Sequence, residues 1–199
     1  MRRFFLTVLL TTLSVACMFA QKRVFTIADL YRLRSVSGIT VSPDGTKIAY
    51  AQSASDLSKA KTMIDVYVMN CDGSHVTQLT TDRKSYSPVW GKDGKDIYYV
   101  SSESGSSQMY RYSLENKKSE KLTDFSMGVD APVLSPDNQL IAFTAKVYPE
   151  CGADSKANQL ADSIASNGPV QAYLADHLLY RHWTEYSAGK CSHIILYDI

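Results

Sequence analysis

The chain has 199 residues, 45% hydrophobic and 21% charged, with thirteen tyrosines and a formal net charge of +1. That length is enough to bury the core of one ordinary domain, and the composition is globular rather than disordered. A near-neutral charge with no basic tract excludes the electrostatic footprint of a nucleic-acid binder and of a membrane-surface protein.

Residues 1–20, "MRRFFLTVLLTTLSVACMFA", stand apart from the rest. Arg2 and Arg3 form a basic start, Phe4 to Val15 form an apolar run too short to span a bilayer comfortably, and small residues close it. The segment is predicted to be an export signal, cut after Ala16 or Ala20, or lipidated at Cys17 within "SVAC". An N-terminal membrane anchor that is never cut is the competing reading. Cleavage removes two arginines and no acidic residue, which takes the net charge from +1 to −1. A periplasmic or secreted location follows from this signal.

Next, "TIADLYRLRSVSGI" (26–39) predicts a short helix capped by Thr26, with Ile27, Leu30 and Tyr31 on one face that packs against the strands after it. "VSPDGTKIAY" then opens a pattern that returns twice, as "VWGKDGKDIYY" and "LSPDNQLIAF". The copies align on Asp44, Asp93 and Asp137, 49 and 44 residues apart. Pro43 suits position i+1 of a type I turn and Gly45 suits i+3. The second copy departs from this with Gly91-Lys92, and the third has Asn138 in the glycine position. A second repeated stretch follows each turn: 65–80 matches 108–123, both closing on Leu-Thr, and 193–199 begins a third. Several short strands at a period in the forties predict blades of a β-propeller, because one small sheet cannot bury both faces and blades stacked around an axis cover one another. A β-sandwich with chance turns is the alternative.

The third blade is interrupted. Tyr50 to Tyr67 is 17 residues and Tyr99 to Tyr110 is 11, but the matching step from Phe143 to Ile195 is 52. The excess is an insertion at 146–190. Its first part is polar and predicts a loop with one weak helical turn. In its second part Val170, Tyr173, Leu174, His177, Leu178 and His182 form a helical stripe. A helix of this kind either caps the blade edge or carries function on a rigid scaffold.

In an oxidising compartment a disulfide persists. Cys151 and Cys191 bracket the insertion, so a bridge closing it is expected, with isolated thiols as the alternative; Cys71 in "NCDGS" reads as a turn residue. The sequence has no CxxC, and His177 and His182 are five apart rather than the four of a helical zinc pair. Neither a metal site nor a cofactor is expected.

Three stretches carry a family resemblance: "FTIADLYRLRSVSGITVSPDG", "YSPVWGKDGKDIYYVSSESGSSQMY" and, most specifically, "LLYRHWTEY" in the insertion. With the export signal, residues 24–199 resemble the N-terminal part of exported dipeptidyl peptidases of the prolyl oligopeptidase family. The resemblance implies a propeller joined to an α/β-hydrolase domain that carries a catalytic serine, aspartate and histidine, with a peptide substrate held between the two. The ten glycines include no two that are four apart, so Gly-x-Ser-x-Gly and its nucleophile elbow are not in this sequence. No catalytic residue is therefore expected in this chain, which reads as an all-β partial propeller of about three blades, truncated and without the hydrolase domain. By the same resemblance, an acidic residue of the insertion grips the substrate's free amine. Glu185 is the candidate, Trp183 and His182 are neighbouring pocket walls, and Asp176 is the reserve. A binding propeller of the Tol-system type, serving as a docking platform, is the rival from another class.

Overall fold

The computed structural model describes residues 24–169, 181–182, 185–186 and 188–199. The predicted export signal with Cys17, and also Asp176 and Trp183, lie outside the described residues. The chain divides into two units, Met1–Leu33 and Arg34–Ile199.

In the first unit, α1 (Ile27–Leu30) is a single turn. Asp29 Oδ2 accepts hydrogen bonds from the Thr26 N–H (2.8 Å) and the Thr26 hydroxyl (2.7 Å), which fixes the turn's start. The helix predicted to run to residue 39 ends here, and Ile27, Leu30 and Tyr31 are exposed rather than packed. Beyond Tyr31 the i, i+3 apolar spacing continues through Leu33, Val36 and Ile39, but the β-branched pair Val36 and Ile39 and Gly38 at φ +59° favour strand over helix, and the chain extends.

The second unit is built on three larger antiparallel sheets in succession, with a small two-stranded ladder in the insertion of the third. The first blade runs β1 (Arg34–Val41), β2 (Lys47–Asp56), β3 (Lys61–Asn70) and β4 (Thr77–Gln78), in that order across the sheet. The second repeats it with β5 (Ser85–Trp90), β6 (Asp96–Ser101), β7 (Gln108–Ser113) and β8 (Lys118–Lys121). The third has β9 (Asp130–Leu134), β10 (Leu140–Val147) and β13 (Cys191–Asp198), ordered β13-β10-β9. The aromatic steps counted in the sequence are cross-strand partners: Tyr50 opposes Tyr67, Tyr99 opposes Tyr110, and Phe143 opposes Ile195. The two tyrosine pairs stack with ring centroids 5.6 Å apart.

The repeated turn explains itself locally. The Gly45 N–H donates to Ser42 O at 2.9 Å, and Asp44 Oδ1 accepts from the Ser42 hydroxyl (2.6 Å) and the Thr46 N–H (3.0 Å). Asp93 and Asp137 accept the equivalent backbone bonds from Lys95 and Gln139, at 3.0 and 3.1 Å. Asn138, at φ +61°, takes the left-handed position that Gly45 and Gly94 take elsewhere. Gly91 departs from the serine pattern because a Cβ there would sit 3.3 Å from Asp96 O and 3.5 Å from Asn138 Nδ2, in the turn of the next blade.

The Leu-Thr closures have a shared purpose. Thr80 Oγ1 accepts from the Val66 N–H at 2.9 Å, and Thr123 Oγ1 accepts from the Met109 N–H at 2.9 Å. Each hydroxyl also meets the side chain one residue earlier, Asp65 Oδ1 at 3.2 Å and Gln108 Oε1 at 2.8 Å. The threonine thus pins the outer end of each blade to its third strand.

The first strand of each blade carries a bulge. Register shifts fall at Gly38-Ile39, Ser87-Pro88 and Ala131-Pro132, opposite Tyr50, Tyr99 and Phe143, and the first residue of each pair is left-handed (φ +59°, +51° and +45°).

Two apolar clusters glue the blades. Ala49, Val66 and Val68 of the first blade pack on Trp90, Ile97, Tyr99 and Tyr110 of the second. Tyr98 and Met109 of the second pack on Ile141, Phe143, Val147 and Ile195 of the third, with Phe125 and Val129 between. Alternation along β6 sends Ile97 and Tyr99 one way and Tyr98 the other. Each fully buried side chain of this size contributes about 1.5–3 kcal/mol. Trp90 Nε1 also donates to Thr40 O (3.1 Å), and the Tyr197 hydroxyl to Leu122 O (2.9 Å), each from one blade to its predecessor.

Candidate functional site

The feature that departs from the repeat is the insertion between β10 and β13, and its root is tightly built. Val147, the last residue of β10, pairs directly with Cys191, the first of β13, so the chain leaves and re-enters the blade at one point. The segment predicted as a loop contains a 13-residue helix, α2 (Ser155–Asn167). Asp154 caps it, its Oδ1 accepting from the N–H groups of Lys156 (2.9 Å) and Ala157 (3.0 Å).

Polar contacts hold α2 in place. Asn158 is fully buried; its Oδ1 accepts from the Tyr148 N–H (2.9 Å), and its Nδ2 donates to Gly152 O (2.9 Å) and Asp154 O (2.8 Å). Ser126 reaches across from the end of the second blade, its N–H donating to Ser155 Oγ (2.9 Å) and its hydroxyl to Ser155 O (2.6 Å). Asp162 accepts from the Tyr148 hydroxyl at 3.4 Å and forms an ion pair with Lys190, whose ammonium lies 5.5 Å from the Tyr148 ring centroid. Burial pushes the Tyr148 phenol up, and the Asp162 carboxylate adds to the shift. A polar cleft of about 430 Å³ separates α2 from the second blade, lined by Gln108, Phe125, Ser126, Lys156, Gln159 and Asp162.

Past the helix, β11 (Arg181–His182) and β12 (Glu185–Tyr186) form a two-stranded antiparallel ladder in which His182 stands opposite Glu185. The predicted helical stripe is corrected at His182, which lies in a strand. Of the four candidate substrate contacts the ladder brings His182 and Glu185 together; Asp176 and Trp183 are outside the described residues. Cys71, Cys151 and Cys191 are free thiols in the structure, so the expected Cys151–Cys191 bridge is not formed in it. Burial, with Glu150 and Asp154 nearby, pushes the Cys151 thiol up and makes it a weak nucleophile. Among the described residues no three His, Cys, Asp or Glu side chains converge as metal ligands.

Sequence reasoning missed Asn158, Asp162 and Lys190. An asparagine in a polar run carries no signal that it will be buried, and Asp162 and Lys190 are 28 residues apart.

Residues 33–185 match the family model described as the TolB beta propeller domain. The chain is 30% identical over 155 residues to dipeptidyl-peptidase 5 of Porphyromonas gingivalis, covering 77% of this chain and 22% of that protein. It is 29% identical over 99 residues to the Tol-Pal system protein TolB of Francisella tularensis, covering 49% of this chain and 23% of that one. Its fold matches the acylaminoacyl peptidase of Pyrococcus horikoshii with a TM-score of 0.62 at 13% identity, over 85% of this chain and 24% of the other. The chain therefore spans less than a quarter of each of these proteins.

Proposed function

We propose a function from one premise: the chain belongs to the TolB β-propeller family. Within that family we read it as the propeller portion of an exported serine exopeptidase, a dipeptidyl peptidase, in which blades and insertion gate and position a peptide for a hydrolase domain elsewhere in the parent protein. The observation that carries this reading is the extent of similarity: 155 residues align with a dipeptidyl peptidase, against 99 with TolB. The insertion supports it too, since a docking propeller has no use for an arm rooted this firmly at Asn158 and Asp162.

In this reading Glu185 receives the substrate's N-terminal ammonium, with His182 and Trp183 as adjoining walls and Asp176 in reserve. An α-amino group with a pKa near 7.7–8.0 and a glutamate near 4.3 are both charged at neutral pH, so the pair forms between those values. Fixing the free end fixes where the chain is cut, two residues in, by positioning rather than by chemistry.

The test begins with the parent gene, which should encode Gly-x-Ser-x-Gly followed by an aspartate and a histidine. The purified parent should hydrolyse a dipeptidyl-p-nitroanilide with a free amine and spare its N-acetylated form. Glu185→Gln should raise KM at least about tenfold, the equivalent of 1.4 kcal/mol, with kcat little changed. Equal hydrolysis of the acetylated substrate removes the role of Glu185. A parent with no nucleophile elbow and no hydrolysis leaves the docking propeller.

A further inference from the structure

The insertion returns to its blade through a short limb: four residues separate Tyr186, the end of β12, from Cys191, the start of β13. Two of them, Ala188 and Gly189, are left-handed (φ +48° and +79°), which makes a tight turn, and Ala188 holds that conformation without glycine's freedom. The last of the four is Lys190. Its ammonium pairs with Asp162 on α2 and lies over the ring of Tyr148, the first residue after β10. One side chain thus clasps the return limb to the helix and to the outgoing limb together. The helix is itself fixed, through Ser126 and Ser155 to the second blade and through Asn158 to the Tyr148 N–H. The clasp is not what closes the third blade, because β10 and β13 already pair residue for residue from Leu140–Asp198 to Val147–Cys191. Nor does a pair whose side chains are 23% and 40% exposed add much to global stability. What it restrains is the limb beyond the root, and Glu185 stands five residues before Lys190 on that limb.

We propose that Lys190 and Asp162 are positioning residues: their ion pair holds the return limb in the arrangement in which Glu185 receives the peptide's amine. The inference rests on the role given to Glu185 above and adds the residues that make it effective. A carboxylate on a loose limb must be ordered each time a peptide binds, and that entropy is subtracted from affinity; a limb clasped beforehand has already lost it. Tyr148 adds a second hold, since its ring faces the ammonium and its hydroxyl donates to Asp162 at 3.4 Å. Neither Lys190 nor Asp162 meets the substrate in this account, so their loss weakens binding and leaves the bond-breaking step alone.

Kinetics and hydrogen exchange on the parent enzyme test it. Lys190→Met should raise KM for a free-amine dipeptidyl-p-nitroanilide about three- to fivefold, with kcat unchanged. Asp162→Asn should do the same, and Lys190→Arg, which retains the charge, should keep the parental KM. In a Glu185→Gln background Lys190→Met should change nothing further, because the clasp acts only through Glu185. Amide exchange in residues 181–186 should speed up about three- to fivefold in Lys190→Met and stay unchanged in β10. Three results overturn the proposal: an unchanged KM in Lys190→Met while Glu185→Gln raises it, an undiminished effect of Lys190→Met in the Glu185→Gln background, or unchanged exchange in residues 181–186. A Glu185→Gln enzyme with a parental KM is a different failure, since it removes the role of Glu185 itself, and the proposal falls with it.

Discussion

Replacing Thr123 with valine tests the closure that ends each blade. The two side chains have nearly the same shape, so the change removes a hydroxyl and leaves packing in place. The Met109 N–H then loses the acceptor that lies 2.9 Å away, in a region where Met109 and Thr123 are almost wholly buried. Gln108 Oε1 loses one donor but keeps the Phe125 N–H at 3.0 Å, so it stays satisfied. The cost is therefore that of one orphaned buried backbone donor, about 2 kcal/mol. With a urea m-value of about 2 kcal/mol/M, the unfolding midpoint should fall by about 1 M at constant slope and fixed protein concentration. Thr123→Ser keeps the hydroxyl and loses only a methyl, so it should cost about half as much or less. If valine and serine variants unfold at the same urea concentration, the hydroxyl is not what holds the blade, and the account of the Leu-Thr repeat fails.

Thr80→Val should behave likewise in the first blade, with a loss at least as large because the partner there is the Asp65 carboxylate. Gly128→Ala should destabilise by more than about 2 kcal/mol in the same urea assay, since φ is +80° and the new Cβ would lie 2.7 Å from Ser107 Oγ; Gly45→Ala, at φ +72° with nothing within 4 Å, should cost only about 1 kcal/mol. Asn158→Leu should free α2 from its seat and speed amide hydrogen exchange across Ser155–Asn167 at least tenfold, while exchange in β6 stays unchanged. The Asp44 carboxyl, held at about 2 by hydrogen bonds from Ser42 and Thr46, should titrate in the folded protein well below its unfolded value of 3.8. The turn's contribution is complete above that unfolded value and fades as pH falls toward 2. NMR titration of Asp44 checks the value, and Ser42→Ala should move it up.

The parts of the fold legible in the sequence are those whose physics is local. The three turns announce themselves because an aspartate and a left-handed residue must sit side by side, two places after a serine in the first and third copies and after Gly91 in the second. The aromatic spacing around Tyr50, Tyr99 and Phe143 works because each residue faces a fixed cross-strand partner. The first strand of each blade hides, since Gly38, Pro88 and Pro132 sit at its bulge and break the alternation that marks a strand. Helix α2 hides for the opposite reason: its inward residues, Asn158 and Asp162, are polar, and its larger apolar ones, Leu160 and Ile164, face outward. A search for apolar periodicity has nothing to find there. At the candidate site, Glu185 and His182 stand out through a motif, and their opposition in a strand pair is not visible because the apolar stripe before them reads as helix.

The pairing of Val147 with Cys191 makes the third blade modular for engineering. A blade that opens and closes at one residue pair does not register how much chain passes between them. Residues 148–190 could be replaced by a four-residue hairpin turn while the ladder from Leu140–Asp198 to Val147–Cys191 kept its register. Shortening the loop that far lowers its closure entropy cost by about 2 kcal/mol, which offsets part of the stabilisation that α2 supplies. The same junction would accept a foreign segment of similar span, so the third blade could serve as a socket for grafted binding loops with the two inter-blade cores left untouched.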